Sequence, residues 1–382
     1  MKIKGKEKQI HKFVFVAGFM RVRLGDVCEK GSSNLKQSDV IDKNGEYEIY
    51  GASGLIGKVD FFHQEKPYIA VVKDGAGIGR TMLLPEKTSV IGTMQYILPN
   101  EKVIPKYLYY VIRYMHLEKY FTGATIPHIY FKDYKREEFN LCDLSEQEKI
   151  VSTLSKIEKI ITHRKQQLEK LDLLVKARFV EMFGEPILNE KGWNMVTIGD
   201  IVTEVKYGTS KPAVEGGKYP YLRMNNLTYD GHLDLTNLKM IDIPDSEIEK
   251  CIVHRGDVLF NRTNSIELVG KTCVFDKDED MVIAGYIIRV RLKSIMLPIV
   301  LSYFMNTDAL KKKLRNMAKG AVNQANINAQ EFKSINIYLP PIELQTQFAD
   351  FVKQVDKSRV AVQKALDETQ LLFDSLMQEY FG

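Results

Sequence analysis

Arginine and asparagine side chains that could contact nucleotide bases recur in short loops between predicted strands. One loop holds Arg223, Asn225 and Asn226, and another runs from Asn261 through Arg262 to Asn264. Guanidinium and amide groups form paired hydrogen bonds with the edges of guanine and adenine, so these loops could read a base sequence. The alternative is that the asparagines only shape turns.

Lysine side chains that could contact the phosphates of a nucleic acid are also present. A basic cluster lies on a predicted helix near residue 312, and Lys58 and Lys271 each follow a glycine that would let a phosphate backbone approach closely. The alternative is a solvated charged face. The candidate DNA-contacting residues are Ser53, Lys58, Lys73, Arg80, Arg223, Asn225, Asn226, Asn261, Arg262, Thr263, Asn264, Lys271, Lys311, Lys312, Lys313, Arg315, Asn323 and Gln324.

Three glycine-containing segments could be taken for nucleotide-binding loops. Residues 75–79 have GxGxG spacing, and the strand-like residues 80–84 follow where a dinucleotide fold needs a helix, so we predict a tight turn. Residues 265–272 lack the first glycine of a P-loop, and residues 52–59 end on valine instead of the magnesium-binding serine or threonine. A P-loop-like nucleotide hydrolase therefore remains only a minor alternative.

Other catalytic patterns are missing from the sequence. The four cysteines form no CxxC pair and the seven histidines show no HxH or HExxH spacing, which argues against a zinc site. No amino-methyltransferase tetrapeptide, nuclease core or nucleophile elbow is recognisable. We therefore expect a chain without catalytic activity, metal or cofactor, whose thiols stay reduced in a cytoplasm.

Composition is that of a two-domain globular protein. The chain has 382 residues, of which 45% are hydrophobic and 27% charged, and no apolar run approaches the ~20 residues of a membrane span. Residues 1–19 form a basic leader with five lysines and one glutamate, and Met20 is an alternative start. The remainder carries 49 basic against 48 acidic residues, so any nucleic-acid binding must rely on local patches.

The chain is internally duplicated. Residues 181–184 (EMFG) recur as residues 379–382 (EYFG) at an offset of 198, and the same offset pairs Gln147 with Gln345. Upstream the offset drifts, as expected where loops differ in length. Each half is therefore a variable globular segment followed by a segment of fixed length.

The fixed segments are predicted to be long helices that pair as an antiparallel coiled coil. Apolar residues alternate at spacings of four and three, with polar breaks at Arg164, Arg178, Arg359 and Thr369. The first seam consists of Ile150, Leu154, Ile157, Ile161, Leu168, Leu171, Val175 and Met182. The second consists of Phe348, Val352, Val355, Val362, Leu366, Phe373, Leu376 and Tyr380. The alternative is that each helix packs only on its own globular domain.

The predicted fold is α/β (α+β) with pseudo-twofold symmetry. We assign residues 1–19 to the leader, 20–144 and 185–342 to two globular domains, and 145–184 and 343–382 to the helices. Strands are predicted at residues 68–72, 81–84, 95–98, 257–260, 271–275 and 287–292, and helices at 106–120 and 298–319.

Together these features resemble the specificity (S) subunit of type I restriction-modification systems. The resemblance extends over about residues 20–382 and is carried by short motifs at residues 50–57, 74–80, 256–262 and 270–272. Residues 339–345 also look like the family's P-x-x-x-Q entry to its conserved helices. The first copy departs from that entry, with Cys142 and Asp143 where prolines would stand.

The resemblance implies a non-catalytic subunit with two target-recognition domains, each reading one half of a split site on double-stranded DNA. The helices would space the domains and dock two methyltransferase subunits, which would hold S-adenosylmethionine and methylate adenine. Restriction subunits either join this complex or are absent from it. A free-standing sequence-specific DNA-binding regulator is the main alternative.

Overall fold

A computed structural model describes residues 20–40, 43–123, 127–321 and 324–382. The predicted leader and the candidate Asn323 lie outside these ranges. The chain divides into two compact units. The first comprises the chain up to Lys165 together with Lys364–Gly382, and the second comprises Gln166–Gln363. Both long helices are therefore shared between the units.

The described residues of the first unit form nine strands, two complete helices and parts of the two long helices. The strands are β1 Met20–Arg23, β2 Cys28–Ser32, β3 Tyr47–Gly51, β4 Gly54–Val59, β5 Tyr68–Val72, β6 Thr81–Leu84, β7 Ser89–Val90, β8 Met94–Pro99 and β9 Glu138–Leu141. The helices are α1 Pro105–Tyr114, α2 Phe131–Tyr134, the beginning of α3 Leu144–Phe183 and the end of the C-terminal helix Ile342–Phe381.

An antiparallel sheet in the order β2-β8-β5-β6 forms the centre of this unit. Every residue of β5 is buried, as its continuous apolar sequence predicts. A second sheet has the order β4-β3-β7, and β1 pairs with β9. The predicted strands at residues 68–72 and 81–84 are confirmed. The predicted helix 106–120 is too long, because His116 adopts a left-handed φ of 51° and a separate 3-10 turn follows.

The second unit holds the remaining elements. Its strands are β10 Asn194–Thr197, β11 Val202–Tyr207, β12 Tyr219–Leu222, β13 Lys239–Ile241, β14 Ile252–Val253, β15 Val258–Asn261, β16 Thr263–Asn264, β17 Thr272–Val274, β18 Met281–Ile283, β19 Ile287–Leu292, β20 Lys319–Ala321, β21 Gln324–Asn326 and β22 Asn336–Leu339. Its helices are the end of α3, α4 Ile198–Ile201, α5 Asp245–Cys251, α6 Pro298–Met305, α7 Asp308–Met317, α8 Ala329–Lys333 and the beginning of α9 Ile342–Phe381.

Most of this unit consists of two four-stranded sheets, with the orders β11-β19-β15-β17 and β13-β12-β18-β14. A separate three-stranded sheet has the order β16-β21-β20. The helix predicted at residues 298–319 is wrong as a single element. It breaks into α6 and α7 because Asn306 ends α6 and Thr307 caps α7, its Oγ1 accepting from Leu310 N at 3.4 Å.

The two copies share a closing pair of strands. β1 runs antiparallel to β9, with Met20 opposite Leu141, and β10 runs antiparallel to β22, with Asn194 opposite Leu339. Each long helix follows directly and has 40 residues. In the first copy Asp143 precedes the helix, and its Oδ1 accepts from Glu146 N at 2.9 Å.

A buried glutamine fixes the start of α3. The side chain of Gln147 is fully buried. Its Oε1 accepts from Ile104 N at 2.8 Å, at the N-cap of α1, and its Nε2 donates to the carbonyls of Lys102 and Cys142 at 3.0 and 2.9 Å. One amide thus satisfies three main-chain groups, which only a side chain with both a donor and an acceptor can do.

Gln345 repeats this arrangement at the start of α9 and is also fully buried. Its Oε1 accepts from Leu297 N at 2.8 Å, at the N-cap of α6, and its Nε2 donates to the carbonyls of Ile295 and Pro340 at 3.0 and 2.9 Å. The last acceptor is equivalent to the carbonyl of Cys142. Cysteine can therefore replace proline in the first copy, because the glutamine contacts only the main chain.

The helices run antiparallel, as predicted. In the second unit the ring of Phe179 lies 5.5 Å from that of Phe348, whereas Asp172, two turns earlier on α3, contacts Arg359, three turns later on α9, at 2.5 Å. Of the predicted seam, Ile150, Leu154, Ile157, Ile161, Val175, Phe348, Val352, Val355, Leu366 and Phe373 are buried. Leu168, Leu171, Met182, Val362, Leu376 and Tyr380 are partly buried.

The seam prediction fails toward the end of each helix. Phe179 and Phe183 on α3, and Met377 and Phe381 on α9, are buried although they fall outside the predicted heptads. A straight α-helix drifts ~20° per heptad relative to a 3.5-residue repeat. After several heptads the buried stripe has moved to the neighbouring positions.

No helix in the described part of the chain is long and apolar enough to cross a membrane.

Candidate nucleic-acid interface

The glycine-rich segment of the first unit is the predicted tight turn. It joins the antiparallel strands β5 and β6. Gly79 closes it with a φ of +80°, and a Cβ at this position would lie 2.6 Å from the main-chain nitrogen of Glu118. Only glycine fits here without displacing the backbone. The turn consequently has a fixed shape.

Arg80 connects this turn to a second hairpin. Its side chain is exposed, and its Nη1 donates to the carbonyl of Ala52 at 3.1 Å. Ala52 precedes Ser53 at the exposed tip of the β3–β4 hairpin. The structure therefore brings Arg80 and Ser53 together. Lys58 is exposed at the other end of β4.

A third segment, residues 128–132, contacts the β5–β6 turn through Lys73 and Asp74. The carbonyl of Lys73 accepts from Ile129 N at 2.9 Å, and the Asp74 carboxylate contacts the Nδ1 of His128. Beyond His128, Tyr130 is 48% exposed, and the ammonium of Lys132 lies 5.3 Å from the centre of its ring.

The candidates on this side of the unit form one surface, which we call the first surface. Its exposed or half-exposed members are Ser53, Lys73, Arg80, Tyr130 and Lys132. Our sequence reasoning missed Tyr130 and Lys132. The alternation of aromatic and basic residues in residues 128–132 (HIYFK) is the signal that could have identified them.

In the second unit, two predicted contact residues have structural roles instead. Asn226 is 1% exposed, and its amide bonds to Arg223 N and the carbonyl of Asp234 at 2.9 and 2.8 Å. Lys271 is 6% exposed and donates from Nζ to the carbonyl of Met224 at 2.5 Å. Burial lowers the pKa of Lys271. Both side chains hold the Arg223 loop and are removed from the interface.

Burial also removes Asn261 and Thr263 from the predicted DNA contacts. Asn261 is fully buried, and its Nδ2 donates to the carbonyls of Thr263 and Tyr286 at 3.1 and 3.0 Å. The hydroxyl of Thr263 donates to Asn326 at 2.8 Å. The half-buried Asn264 is partly committed, because its Nδ2 donates to Asn261 Oδ1 at 2.8 Å. Asn261 and Thr263 shape the loop from within, whereas the Oδ1 side of Asn264 remains a candidate for base contact.

Arg262 remains a candidate for base contact. Its guanidinium lies 4.9 Å from the centre of the Tyr207 ring, and its Nη1 donates to the carbonyl of Gly285 at 3.4 Å. Tyr207 and Tyr286 are 43% and 48% exposed beside it. Cation–π contact and a main-chain hydrogen bond hold the planar group in one orientation, as a base-reading arginine requires.

These groups and the Arg223 loop form the second surface. The loop is adjacent because Ala284, just before Gly285, donates from its main-chain nitrogen to the carbonyl of Leu222 at 2.9 Å. The second surface consists of Tyr207, Arg223, Asn225, Arg262 and Tyr286. Our sequence reasoning missed both tyrosines.

The basic cluster on α7 is less exposed than predicted. Lys311 is 4% exposed, with its Nζ directed at the carbonyl and ring of Tyr229, and burial beside Lys176 lowers its pKa to about 8. Arg315 donates from Nη2 to the Tyr229 hydroxyl at 2.7 Å. Lys312 is exposed and Lys313 half-buried. Lys311 is therefore removed from the interface, and Lys312 remains available.

Gln324 at the start of β21 is exposed and remains a candidate. Asn323, beside it, lies outside the described residues.

The geometry of the described residues supports neither a nucleotide-binding P-loop nor a metal site. Residues 265–272 form a turn, in which Leu268 N donates to Ser265 O at 3.1 Å, and strand β17 follows where a P-loop needs a helix. Among the described residues, no three His, Cys, Asp or Glu side chains are grouped to hold a metal ion. All four cysteines are buried and unpaired, and burial raises the pKa of Cys28 to about 12.

Two mixed α/β units, each with a basic and aromatic surface and each continued by a long helix, define a duplicated recognition protein. The family profile described as "Type I restriction modification DNA specificity domain" matches residues 17–171 and again residues 190–369, so the chain belongs to this family.

Curated relatives agree with this assignment. The EcoKI specificity subunit of Escherichia coli K12 is 25% identical over 279 residues, which cover 68% of this chain and 60% of that protein. The MjaVIII specificity subunit of Methanocaldococcus jannaschii is 23% identical over 308 residues, covering 75% and 72%. A further M. jannaschii relative, MjaX, is 28% identical over 194 residues, covering 50% of this chain and 45% of that relative.

Solved structures at low sequence identity show the same fold. A type I restriction-modification S subunit from M. genitalium superposes with a TM-score of 0.60 at 16% identity, over 97% of this chain and 98% of that one. A chain from a structure concerning complex assembly and conformational transition of the type I R-M system gives 0.55 at 18% identity, over 96% and 97%.

Proposed function

We propose that this chain is the non-catalytic DNA sequence-recognition subunit of a type I restriction-modification complex and acts in the cytoplasm. The observation that supports this most is that the DNA specificity domain occurs twice in one chain. Each copy coincides with a unit that carries its own candidate surface.

The two surfaces favour a bipartite and asymmetric DNA site. The first surface presents Arg80 and Tyr130, whereas the second presents Arg262 against the ring of Tyr207, with Tyr286 exposed nearby. Different side chains on different loops select different bases. Each surface would therefore read its own half-site, and the two half-sites would differ in sequence.

The charge of the chain supports a role within a larger complex. Residues 20–382 carry 49 basic and 48 acidic residues, so little general attraction to DNA phosphates comes from this part of the chain. Phosphate contacts supply most of the non-specific affinity of DNA-binding proteins. Partner subunits would have to provide that affinity while this chain provides the sequence preference.

Methyltransferase subunits are the partners that the proposal requires. They would hold S-adenosylmethionine and transfer the methyl group to adenine, and the long helices α3 and α9 would provide their docking sites. Restriction subunits either complete the assembly or are absent from it.

Co-purification with a candidate methyltransferase, followed by mapping of methylated adenines in genomic DNA, tests this proposal. We expect a stable complex and methylation at a two-part motif that disappears when this chain is deleted. Specific DNA binding by the chain alone, without a partner or a methylated motif, would favour the free-standing regulator instead.

A further inference from the structure

In the first unit, cationic side chains of α1 pair with a carboxylate on the long helix α3. Arg113 Nη1 lies 2.6 Å from Glu158 Oε1, and Lys106 Nζ lies 3.9 Å from Glu158 Oε2. The hydroxyl of Tyr110 donates to Glu158 Oε2 at 2.6 Å. The guanidinium of Arg113 also lies 5.4 Å from the centre of the Tyr109 ring. These contacts hold α1 against α3.

The duplication shows which residues occupy the same positions in the second unit. The offset of 198 between the two buried glutamines also relates Glu158 to Asp356, within the two uninterrupted long helices. Along α1 and α6, counted from their first residues, the offset is 193. It relates Lys106 to Ile299, Tyr109 to Ser302, Tyr110 to Tyr303 and Arg113 to Asn306. The carboxylate and one tyrosine are retained, whereas both cations and the second aromatic ring are lost.

A cavity of about 280 Å³ lies where these side chains are lost. Ile299, Ser302 and Asn306 all line it, as do Tyr303 and Asp356. Ser302 and Asn306 are much smaller than the tyrosine and arginine at the equivalent positions of the first unit, which accounts for the space. One water molecule takes up about 30 Å³ in the liquid, so the cavity has room for a larger group.

Acidic side chains line the exposed part of this cavity. Asp230 and Asp276 line it in addition to Asp356, and all three residues are exposed. Lys277 also lines it, but its Nζ already lies 3.0 Å from Asp276. Within the described ranges, no three His, Cys, Asp or Glu side chains are grouped to hold a metal ion. The cavity therefore favours an organic cation over a metal ion.

Asp356 is paired less closely than Glu158. Its Oδ1 lies 3.7 Å from Nε of Arg359, one turn later on α9. The Nη groups of Arg359 contact His232 at 2.7 Å and Asp172 at 2.5 Å instead. Burial raises the pKa of Asp356, as expected of a carboxylate whose negative charge is incompletely balanced.

An amide oxygen at the cavity also lacks a donor. Asn306 is 9% exposed, and its Nδ2 donates to the carbonyls of Thr272 and Ser302 at 2.6 and 2.9 Å, which fixes the orientation of the amide. Its Oδ1 is buried and accepts no hydrogen bond from the described residues. Buried polar atoms are normally paired, so this oxygen is available to an N–H group that enters the cavity.

We propose that the cavity binds a guanidinium group, supplied by another molecule, at the place that Arg113 fills in the first copy. A guanidinium carries five N–H donors in one plane, so it can bond to Asp356 and to Asn306 Oδ1 together. The ring of Tyr303 and the side chain of Ile299 provide apolar surface for the attached carbon chain.

The bound group belongs either to a free small molecule or to an arginine side chain of a partner protein. In both cases, binding would restore between α6 and α9 the contact that holds α1 against α3. The inference does not rest on the proposed function, because the cavity lies apart from the residues of the second surface.

Titration calorimetry of the full chain with propylguanidinium tests the site, and the neutral propylurea, which has nearly the same shape, is the control ligand. We expect saturable one-to-one binding of propylguanidinium and no binding of propylurea. Asp356→Asn should weaken binding about tenfold or more, because it removes the charge and keeps the shape. Asp350→Asn is the matched control, because Asp350 is exposed on α9 and does not line the cavity.

Filling the cavity from within is the second test. Asn306→Arg introduces the residue of the first copy, and this variant should no longer bind propylguanidinium. Circular dichroism checks that the variant keeps its fold, and if it does not, the Asp356→Asn titration decides alone. Equal binding of the two ligands, or an unchanged dissociation constant in Asp356→Asn, would overturn the inference.

Native mass spectrometry of the purified full chain distinguishes the two sources of the group. A bound small cation that Asp356→Asn loses identifies a free molecule. Displacement of a co-purifying protein by propylguanidinium, but not by propylurea, identifies an arginine side chain. Absence of propylguanidinium binding would overturn the inference and leave the proposed function untouched.

Discussion

The starts of the two long helices are nearly identical in structure, whereas the two candidate recognition surfaces have little in common. Gln147 and Gln345 each form three hydrogen bonds to main-chain groups, and corresponding bonds agree in length. The first surface, by contrast, depends on a glycine turn, and the second on buried asparagine and lysine side chains.

The difference indicates which parts of the molecule tolerate variation. Each buried glutamine forms a clamp, because its side chain bonds three main-chain groups. A clamp that contacts only the main chain does not depend on the neighbouring side chains, so it is found in both copies although the sequences around it differ. The recognition loops are held by side chains specific to each copy. Their base preferences can therefore differ although the frame that carries them is shared.

The largest effect is expected from Gln147→Glu or Gln345→Glu. Each change replaces an Nε2 donor with an oxygen that faces two buried carbonyls, and each unsatisfied buried group costs about 1–3 kcal/mol. We expect a loss of about 3 kcal/mol in unfolding free energy for either variant, measured by urea denaturation. The exposed Gln167 and Gln347 provide matched Gln→Glu controls with changes below about 0.5 kcal/mol. Markedly different losses at the two clamps would end the claim that they are equivalent.

Arginine substitutions separate the two surfaces. Arg262→Ala should weaken one half-site by about 1–3 kcal/mol and leave the other unchanged, and Arg80→Ala should do the reverse. Arg255→Ala is the control, because Arg255 precedes β15, whereas Arg262 follows it. Fluorescence anisotropy of the assembled complex with targets altered in one half-site measures the effect. Equal losses on cognate and scrambled DNA would contradict sequence reading by these arginines.

Substitution of Asn264 should also weaken only one half-site, but by less than the arginine substitutions. Asn264→Ala should weaken the half-site read by the second surface by about 1 kcal/mol, the lower end of the range for base contacts, because its Nδ2 is already bonded to Asn261. The anisotropy assay with altered half-sites also measures this change. A loss at the half-site read by the first surface would show that the variant acts through general destabilisation.

Neighbouring lysines on α7 should differ in their contribution to DNA affinity. Lys312→Ala should weaken binding to all sequences equally and reduce the slope of log K against log salt by about 0.9, the value for one phosphate contact. Lys311→Met should leave that slope unchanged, since its ammonium is buried against Tyr229. A reduced slope for Lys311→Met would show that this lysine reaches DNA.

A separate prediction concerns the pH dependence of stability at Lys311, whose pKa is lowered to about 8 in the folded chain. Between pH 8 and the ordinary lysine pKa of about 10.4, the unfolded chain binds more protons at this site, so its contribution to stability rises with pH. Lys311→Met should therefore gain stability relative to the original chain at pH 7 and lose that advantage by pH 10. Urea denaturation at three pH values measures the trend, and an advantage constant with pH would contradict it.

Regular elements of this fold could be predicted from sequence because a repeating environment leaves a repeating pattern. The apolar run of β5 and the seams of α3 and α9 are examples, and the predicted seams failed only where heptad drift accumulated, at Phe179 and Phe183 on α3 and at Met377 and Phe381 on α9. The break between α6 and α7 was missed, since a lone threonine cap carries little signal within an otherwise helical stretch.

The interface was harder to predict because the same residue types build loops and read bases. Asn225 is exposed whereas Asn226 beside it is buried, and Lys312 is exposed whereas Lys311 is buried. No local pattern distinguishes the members of such pairs. Their roles depend on distant acceptors, such as the carbonyl of Asp234 for Asn226 and that of Tyr229 for Lys311.

The strand pairs β1–β9 and β10–β22 have a consequence for inheritance. The chain enters and leaves each globular domain through adjacent antiparallel strands, so the ends of the intervening segment lie side by side. Segments with adjacent ends tolerate replacement by unrelated sequences of different length. Recombination within the coding sequence for these strands can exchange a whole globular domain in one event without any change to the helices, and under the proposed function each exchange would change the DNA sequence that is read.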